Sequence, residues 1–208
     1  MIKLILTAVL LVGCNTTQKV DKKTAEEIIG NSRVKPIINA NYKVDMMKQN
    51  VLTAGAAGVA AQIASPKSDA PLIEAFYKNV KNPNESLFQV LKKENSFIKK
   101  LNFVENSSKL EPTHTIEADF GTIIISEQMK FDGLKYVFTL RGVVKLTNIK
   151  TKKNEYEGVC KLSFFFDNSE QYSLEQLLEK DGILIGKTMD KYIGLCNSEL
   201  EKDGMISD

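Results

Sequence analysis

Few residues in this chain of 208 could carry catalysis, and His114 is the first to consider because it is the only histidine. A nucleophilic site of the Ser-His-Asp or Cys-His type would have to use it as the base. His114 stands between Thr113 and Thr115, two residues after Pro112, at the start of a predicted strand. A histidine in such a place is more commonly exposed and without a catalytic task, so we expect His114 to be exposed.

The carboxylates and cysteines also lack the spacing of a known catalytic or metal site. Glu117 and Asp119 are two residues apart on one face of the predicted strand. This suits a solvated face at least as well as a calcium pair or a glycosidase dyad. Two downstream cysteines and one histidine, without a short paired spacing, do not make a zinc site. The sequence therefore predicts no catalytic residue, no cofactor and no metal.

The first thirteen residues have the composition of a secretory signal. Lys3 supplies the positive start, an apolar run from Leu4 to Leu10 is interrupted only by Thr7, and Gly13 is the small residue before a cleavage point. The run is shorter than the roughly 20 apolar residues that cross a hydrocarbon core, so we do not expect a transmembrane helix here.

The segment Leu11-Val12-Gly13-Cys14 resembles the lipobox of bacterial lipoproteins. The resemblance implies removal of residues 1–13 as a signal peptide, a diacylglyceryl thioether on Cys14, and a further acyl chain such as palmitate on the new amino terminus. Two or more chains hold a protein on a membrane durably, at about 0.8 kcal/mol per buried methylene. The alternative is an ordinary cleaved signal that leaves Cys14 as a free or disulfide-bonded thiol.

The residues after Cys14 bear on the location of the protein. Asn15 follows the cysteine, and not Asp. In enteric-type bacteria the resemblance then implies the outer membrane, facing the periplasm, rather than the inner membrane. Residues 15–23 are polar and lack apolar periodicity, so residues 14–23 are predicted to form a tether between the lipid and the folded body.

Cys160 and Cys196 are the cysteines left over once Cys14 is assigned to lipid. In a chain exported to an oxidising compartment, such a pair predicts a disulfide. The bond would close a loop of about 37 residues and stabilise the fold by about 4 kcal/mol on a chain-entropy estimate. Cys160 lies on the apolar face of a predicted strand and Cys196 on the apolar stripe of a predicted helix, which places both thiols in one layer.

Charge gives little indication of a partner. The formal net charge is +2, and the only arginines are Arg33 and Arg141. Few side chains are therefore able to form forked contacts with phosphates, and the sequence has no concentrated basic face. We do not expect nucleic-acid binding.

The elements that position these residues follow from hydrophobic periodicity. Three helices and an edge strand are predicted in the first half: a helix Thr24–Ile29 capped by Thr24, the strand Arg33–Ala40, a helix Leu72–Val80 and a helix Glu85–Lys93 capped by Asn84. The second half alternates, which predicts Thr113–Gln128 as a strand or strand pair and a hairpin of Tyr136–Asn148 and Tyr156–Phe166. Glu155 and Glu157 are predicted to face solvent. The apolar faces predicted for the two hairpin strands are Tyr136, Phe138, Leu140, Val144 and Leu146 on the first, and Tyr156, Cys160, Leu162, Phe164 and Phe166 on the second. A C-terminal helix begins with the capping box of Ser173 and Gln176 and is divided near Asp181-Gly182.

The fold class that follows is α+β. We expect an antiparallel sheet with helices packed on one face, including a C-terminal helix tied to the sheet by the disulfide. Residues 24–208 are predicted to form a single domain, in which residues 24–112 are mainly helical and residues 113–208 supply the sheet and the C-terminal helix.

A run of small apolar residues, Val51–Ala64, fits none of these elements well. Small residues recur at four-residue steps, Ala54 with Gly58 and Ala57 with Ala61, and let another helix approach closely. The run is either a packing seam for a partner or the membrane surface, or a segment buried against this protein's own sheet. It lacks the cationic face of an interfacial helix, which favours internal packing.

Together these features predict a lipid-anchored envelope lipoprotein with a non-enzymatic binding or structural role toward a protein or lipid partner. A hairpin with one cysteine, followed by a capped helix with the other, resembles small envelope lipoproteins with a sheet-and-helix body. One alternative is a carrier of an apolar ligand such as a lipid, which needs a closed apolar pocket of several hundred cubic ångströms. Another is an envelope hydrolase, which needs His114 in a cleft within hydrogen-bond reach of a serine or a carboxylate.

Overall fold

A computed structural model describes residues 18–48, 70–105, 109–130, 133–163 and 171–207. The helices are α1 (Lys22–Asn31), α2 (Ala70–Asn79), α3 (Pro83–Glu94), α4 (Leu174–Leu178) and α5 (Ile183–Asp203), with short 3-10 turns at Ile98–Lys100 and Glu179–Gly182. The strands are β1 (Val20–Asp21), β2 (Val34–Ile38), β3 (Lys43–Lys48), β4 (His114–Asp119), β5 (Thr122–Lys130), β6 (Gly133–Asn148), β7 (Asn154–Ser163) and β8 (Ile206–Ser207).

Six strands form the main sheet, in the order β2-β4-β6-β5-β3, and β7 pairs with the other edge of the long central strand β6. β4 and β5 lie end to end along one edge of β6 and act as a single strand interrupted at Gly121. Ten residues separate His114 from Ile124, whereas nine separate their partners Asn148 and Thr139. The extra residue is a β-bulge, at which Gly121 has a φ of 57°. The bulge bends the sheet at its middle.

The sheet is mixed, which corrects the prediction of a purely antiparallel sheet. β2 pairs with β4 and β3 pairs with β5, both in parallel, while the pairs that involve β6 are antiparallel. The chain between β3 and β4 contains α2 and α3, and a crossover of this length is what a parallel neighbour requires. Alternation of polar and apolar residues identifies a strand but does not give the direction of its neighbour. β2 and β3 lie within residues 24–112, the part of the chain predicted to be mainly helical, so this part also contributes strands to the sheet.

Helices cover the face of the sheet to which Phe138 belongs. The ring of Phe138 lies 6.3 Å from Phe76 of α2 and 6.3 Å from Tyr192 of α5, measured between centroids. The α+β class is therefore confirmed. The apolar face predicted for β6 is buried throughout and consists of Tyr136, Phe138, Leu140, Val144 and Leu146. On β7, Tyr156, Cys160 and Leu162 are buried as predicted, while Phe164 and Phe166 lie outside the described residues.

The C-terminal helical segment is divided where the sequence predicted. Ser173 and Gln176 form the capping box that starts α4. The chain then turns through positive φ angles at Lys180 (50°), Asp181 (61°) and Gly182 (84°) before α5 begins. The apolar stripe of α5 is buried against the sheet and consists of Ile185, Met189, Tyr192 and Cys196.

Two predicted helix caps are wrong by two or three residues. α1 begins after Asp21, whose carboxylate accepts a hydrogen bond from the Thr24 backbone N–H at 3.0 Å, so Thr24 lies inside the first turn. α3 begins after Asn82, whose side chain accepts from the backbone N–H of Asn84 and Glu85. In both cases a second polar residue lies upstream of the predicted cap and takes its role.

Several predicted features lie outside the described residues. These are the signal peptide 1–13, the anchor residue Cys14 and the small-residue run Val51–Ala64. Residues 18–23 of the predicted tether are part of the folded body, because Gln18 pairs with Glu157 of β7 and β1 pairs in parallel with β8.

Candidate functional site

The predicted disulfide between Cys160 and Cys196 is present and joins β7 to α5. The two Cα atoms are 5.2 Å apart, within the range that an unstrained bridge requires, and both residues are fully buried. Gly142 of β6 pairs with Cys160 and lies directly under the bond. A Cβ on Gly142 would lie 2.7 Å from the Cys160 sulfur, so only glycine leaves room for the bridge at this position.

A second contact joins α5 to the same strand. The carboxylate of Glu199 accepts a hydrogen bond from the backbone N–H of Lys161 at 3.0 Å. This N–H is on the edge of β7, so the helix covers an edge group that would otherwise invite another strand. Partial burial raises the pKa of Glu199 above its ordinary value.

His114 is buried, not exposed as we expected. Only 7% of the residue is accessible. Its Nε2 lies 2.9 Å from a carboxylate oxygen of Glu155, and its Nδ1 lies 2.9 Å from the hydroxyl of Thr113. Asn148, the strand partner of His114, donates to the other oxygen of Glu155 at 3.1 Å. Three strand ends therefore meet in one hydrogen-bonded polar cluster.

A β-bulge places Glu155 in this cluster. Leu146 pairs with Tyr156 and Thr147 pairs with Asn154, so Glu155 is an extra residue in β7 with no partner on β6. We predicted that Glu155 would face solvent with Glu157, and this is wrong because the bulge turns it toward His114. No local sequence signal marks the position of a bulge, so the histidine–carboxylate pair was not predictable.

The groups Thr113, His114 and Glu155 have the order of a nucleophile, a base and an orienting carboxylate. However, the Thr113 hydroxyl already accepts from the backbone N–H of Arg33 at 2.9 Å and lies 3.4 Å from the Arg33 carbonyl. Both ring nitrogens of His114 are also occupied. This arrangement fixes the start of β4 to its neighbours, and it does not present a free base to a substrate.

Asp119, which the sequence offered as a calcium ligand beside Glu117, is held by structural hydrogen bonds. One carboxylate oxygen of Asp119 accepts from the Asn84 side chain and from the Gly121 backbone N–H, both at 3.0 Å. Within the described ranges, no group of three or more histidine, cysteine, aspartate or glutamate side chains is arranged to hold a metal ion.

Asn84 is the polar residue that sequence reasoning placed wrongly. It is fully buried, and its side chain donates to the Asn39 carbonyl at 3.0 Å and to Asp119. Its side-chain oxygen accepts from the backbone N–H of Phe120 at 2.8 Å. Asn82 followed by Pro83 is the pattern of an N-cap residue with proline in the first turn of the helix. This signal would have assigned the cap to Asn82, so that Asn84 could be predicted as a buried residue instead.

A cavity of about 300 Å³ lies between the first residues of β6 and the start of α4. It is open to solvent, and Lys135 and Glu175 contribute to its wall. This is not the closed apolar pocket that a lipid carrier needs. It also lies at the opposite end of β6 from His114, whose strand partner is Asn148.

Comparison with known proteins gives no family assignment for this chain. No protein-family model matches the sequence, and a search of curated proteins returns no significant match. Among the helices of the described ranges, none is long and apolar enough to cross a membrane.

Proposed function

We propose that this chain is a lipoprotein of the bacterial envelope, anchored by acyl chains on Cys14, whose folded body has a non-enzymatic binding or structural role toward a protein or lipid partner. The resemblance of Leu11-Val12-Gly13-Cys14 to a lipobox suggests the anchor. In an enteric-type host, Asn15 favours the outer membrane, with the body facing the periplasm.

The observation that carries the proposal is the buried bond between Cys160 and Cys196. Disulfides of this kind form and persist in oxidising compartments and are rare in the cytosol. The bond therefore favours the same side of the membrane as the lipobox does. These two features are independent, because one concerns residues near the start of the chain and the other concerns the core.

The non-enzymatic role is supported by the contacts of the polar residues. His114 has hydrogen-bond partners on both ring nitrogens, and Asp119 is held by Asn84 and Gly121. The cavity beside Lys135 is open to solvent and is not itself the closed apolar pocket that the carrier alternative needs. We therefore propose partner binding ahead of the carrier and hydrolase alternatives.

Replacement of the anchor residue tests the location. Cys14→Ser should move the protein from the membrane fraction of the native host to the soluble fraction, and mass spectrometry should find acyl chains on Cys14 of the wild type only. The matched control is Asn15→Asp, which keeps the cysteine and should keep the protein on membranes. Persistence of Cys14→Ser on membranes, or an unmodified Cys14 in the wild type, would contradict the proposal.

Crosslinking in intact cells tests the role. A partner-binding protein should yield a discrete crosslinked protein that remains after detergent extraction. A carrier should instead yield co-purified lipid in a fixed ratio to the protein. Recovery of lipid alone would replace the partner-binding proposal with the carrier.

A further inference from the structure

The described chain begins very close to the predicted lipid anchor. Gln18 is the fourth residue after Cys14, so covalent geometry limits the distance between their Cα atoms to about 14 Å. Gln18 is fixed to β7: its backbone N–H donates to Glu157 at 2.8 Å, and the Glu157 N–H donates back at 3.1 Å. If Cys14 is inserted in a bilayer, this edge of the sheet is held against the bilayer surface.

The hairpin turn between β6 and β7 lies beside this attachment point. The Gln18 side chain donates to the Asn154 carbonyl at 2.8 Å, and Asn154 directly follows the turn. The turn carries three exposed lysines, Lys150, Lys152 and Lys153. These three residues form the lysine tip.

The lysine tip is ordered by its own backbone contacts. The Asn148 side chain accepts from the backbone N–H of Lys150 at 3.0 Å and of Thr151 at 3.1 Å. The Asn148 carbonyl accepts from the Lys152 N–H at 2.9 Å. The three ammonium groups are therefore presented from a fixed turn at the end of the sheet.

The charge of the lysine tip is not neutralised locally. Within the part of the chain that the structure describes, none of its three lysines has an ion-pair partner. The two carboxylates that follow the turn in the sequence are engaged elsewhere, because Glu155 contacts His114 and Asn148, and Glu157 lies 3.9 Å from Lys145. A localised positive charge thus lies beside Gln18, the fourth residue after the proposed anchor, in a chain whose formal net charge is only +2.

We infer that the lysine tip docks on the anionic headgroups of the membrane that holds Cys14, and that it sets the orientation of the folded body. This inference rests on the proposed lipid anchor. The short connection to Gln18 keeps the body near the bilayer, and the charge of the tip selects the side that faces it. A lysine near an anionic surface favours binding about fivefold, so three lysines favour this orientation about a hundredfold.

The test uses the full-length protein, purified with its anchor from the native host and placed in vesicles. A nitroxide spin label on Thr151→Cys reports the tip, and one on Glu179→Cys, a 67% exposed side chain near the start of α5, is the distant reference. A nickel-chelating lipid in the vesicles relaxes labels that lie near the headgroups. With about one third phosphatidylglycerol, the label at 151 should be relaxed at least fivefold more than the label at 179.

Two sets of lysine variants separate charge from general effects. Lys150→Gln with Lys152→Gln and Lys153→Gln should abolish the difference between the two labels. The matched set, Lys81→Gln with Lys180→Gln and Lys187→Gln, removes three exposed lysines elsewhere and should preserve it. Vesicles of phosphatidylcholine alone should have the same effect as loss of the lysine tip.

The possible outcomes are distinguishable. Equal relaxation at 151 and 179, in protein that floats with the vesicles, would overturn the docking of the lysine tip and leave the lipid anchor standing. Protein that lacks acyl chains and does not float would overturn both the anchor and the docking. Preferential relaxation at 151 that depends on phosphatidylglycerol and on the three lysines would support both.

Discussion

Two helices are fixed to the sheet by different chemistry, and the comparison shows what each connection needs. α5 is joined to β7 by the Cys160–Cys196 bond. α3 is joined to the bulge between β4 and β5 by the buried side chain of Asn84, which accepts from Phe120 and donates to Asp119. The first connection is a single covalent bond, and the second is a set of hydrogen bonds shielded from water.

The two connections respond to different conditions. The disulfide depends on an oxidising compartment and on the absence of reductant. The Asn84 contacts need only burial, because an unsatisfied buried donor or acceptor costs more than a satisfied one contributes. The protein is thus expected to lose the first connection, and keep the second, when it is placed in a reducing medium.

Loss of the disulfide should have the largest effect. Cys160→Ala with Cys196→Ala removes the closure of a loop whose ends are separated by 36 residues. The expected loss of unfolding free energy is about 4 kcal/mol on the chain-entropy estimate. Urea denaturation followed by circular dichroism measures it.

Two controls make this prediction specific. Cys14→Ser removes a cysteine outside the bond and should leave the unfolding free energy unchanged. Wild-type protein treated with reductant should lose about as much as the double variant, while reductant should not affect the double variant itself. A loss below about 1 kcal/mol in the double variant would show that the bond adds little to the fold.

Loss of the Asn84 side chain should have the next largest effect. Asn84→Ala leaves the buried N–H of Phe120 without an acceptor and removes the donor to Asp119. The expected loss is about 3 kcal/mol, and it should be the same with and without reductant. The comparison of the two conditions by urea denaturation tests the independence of the two connections.

The matched control is an exposed asparagine in the adjoining loop. Asn41 contributes its backbone N–H to the Asn39 side chain, a contact that Asn41→Ala retains. Its unfolding free energy should therefore equal that of the wild type. If Asn84→Ala is as stable as Asn41→Ala, water replaces the buried contacts without cost.

The sequence predicts the first connection but not the second, and the reason is physical. Cys160 and Cys196 lie on periodic apolar faces, and periodicity follows from the residue order alone. Asn84 is of a residue type that commonly caps helices. Its burial depends on the bulge at Gly121, which brings the backbone of Phe120 within hydrogen-bond reach. The local sequence pattern does not predict this contact, because Asn84 and Phe120 are distant from each other in the chain.

The same distinction explains the other outcomes. Hydrophobic alternation predicted the buried face of β6, and a capping box predicted the start of α4. The parallel pairing of β2 with β4 required knowledge of the crossover, and the contact of His114 with Glu155 required knowledge of a bulge. Most of the long elements were thus predictable, although the strand β3 was not. Their register and the polar contacts that depend on register were not predictable.

Gly142 links the two connections, and its substitution should have the smallest of the three effects. A Cβ at this position would lie 2.7 Å from the Cys160 sulfur, and 3.0 Å from both the Cys196 sulfur and the Phe120 ring. Gly142→Ala should therefore cost about 2 kcal/mol through overpacking. Gly194→Ala is the control, because a Cβ there meets no atom within 4 Å. In the interior of α5 it should instead stabilise by about 0.5–1 kcal/mol.

The decisive measurement combines Gly142→Ala with the loss of both cysteines. Removal of the two sulfur atoms removes two of the three closest contacts of the added methyl group and leaves the contact with the Phe120 ring at 3.0 Å. The cost of Gly142→Ala should then fall by about 1 kcal/mol, a coupling of the size seen between residues in contact. A cost that stays the same would mean that the methyl group clashes mainly with Phe120. In that case the space at Gly142 would be limited by Phe120, whose backbone Asn84 holds, rather than by the disulfide.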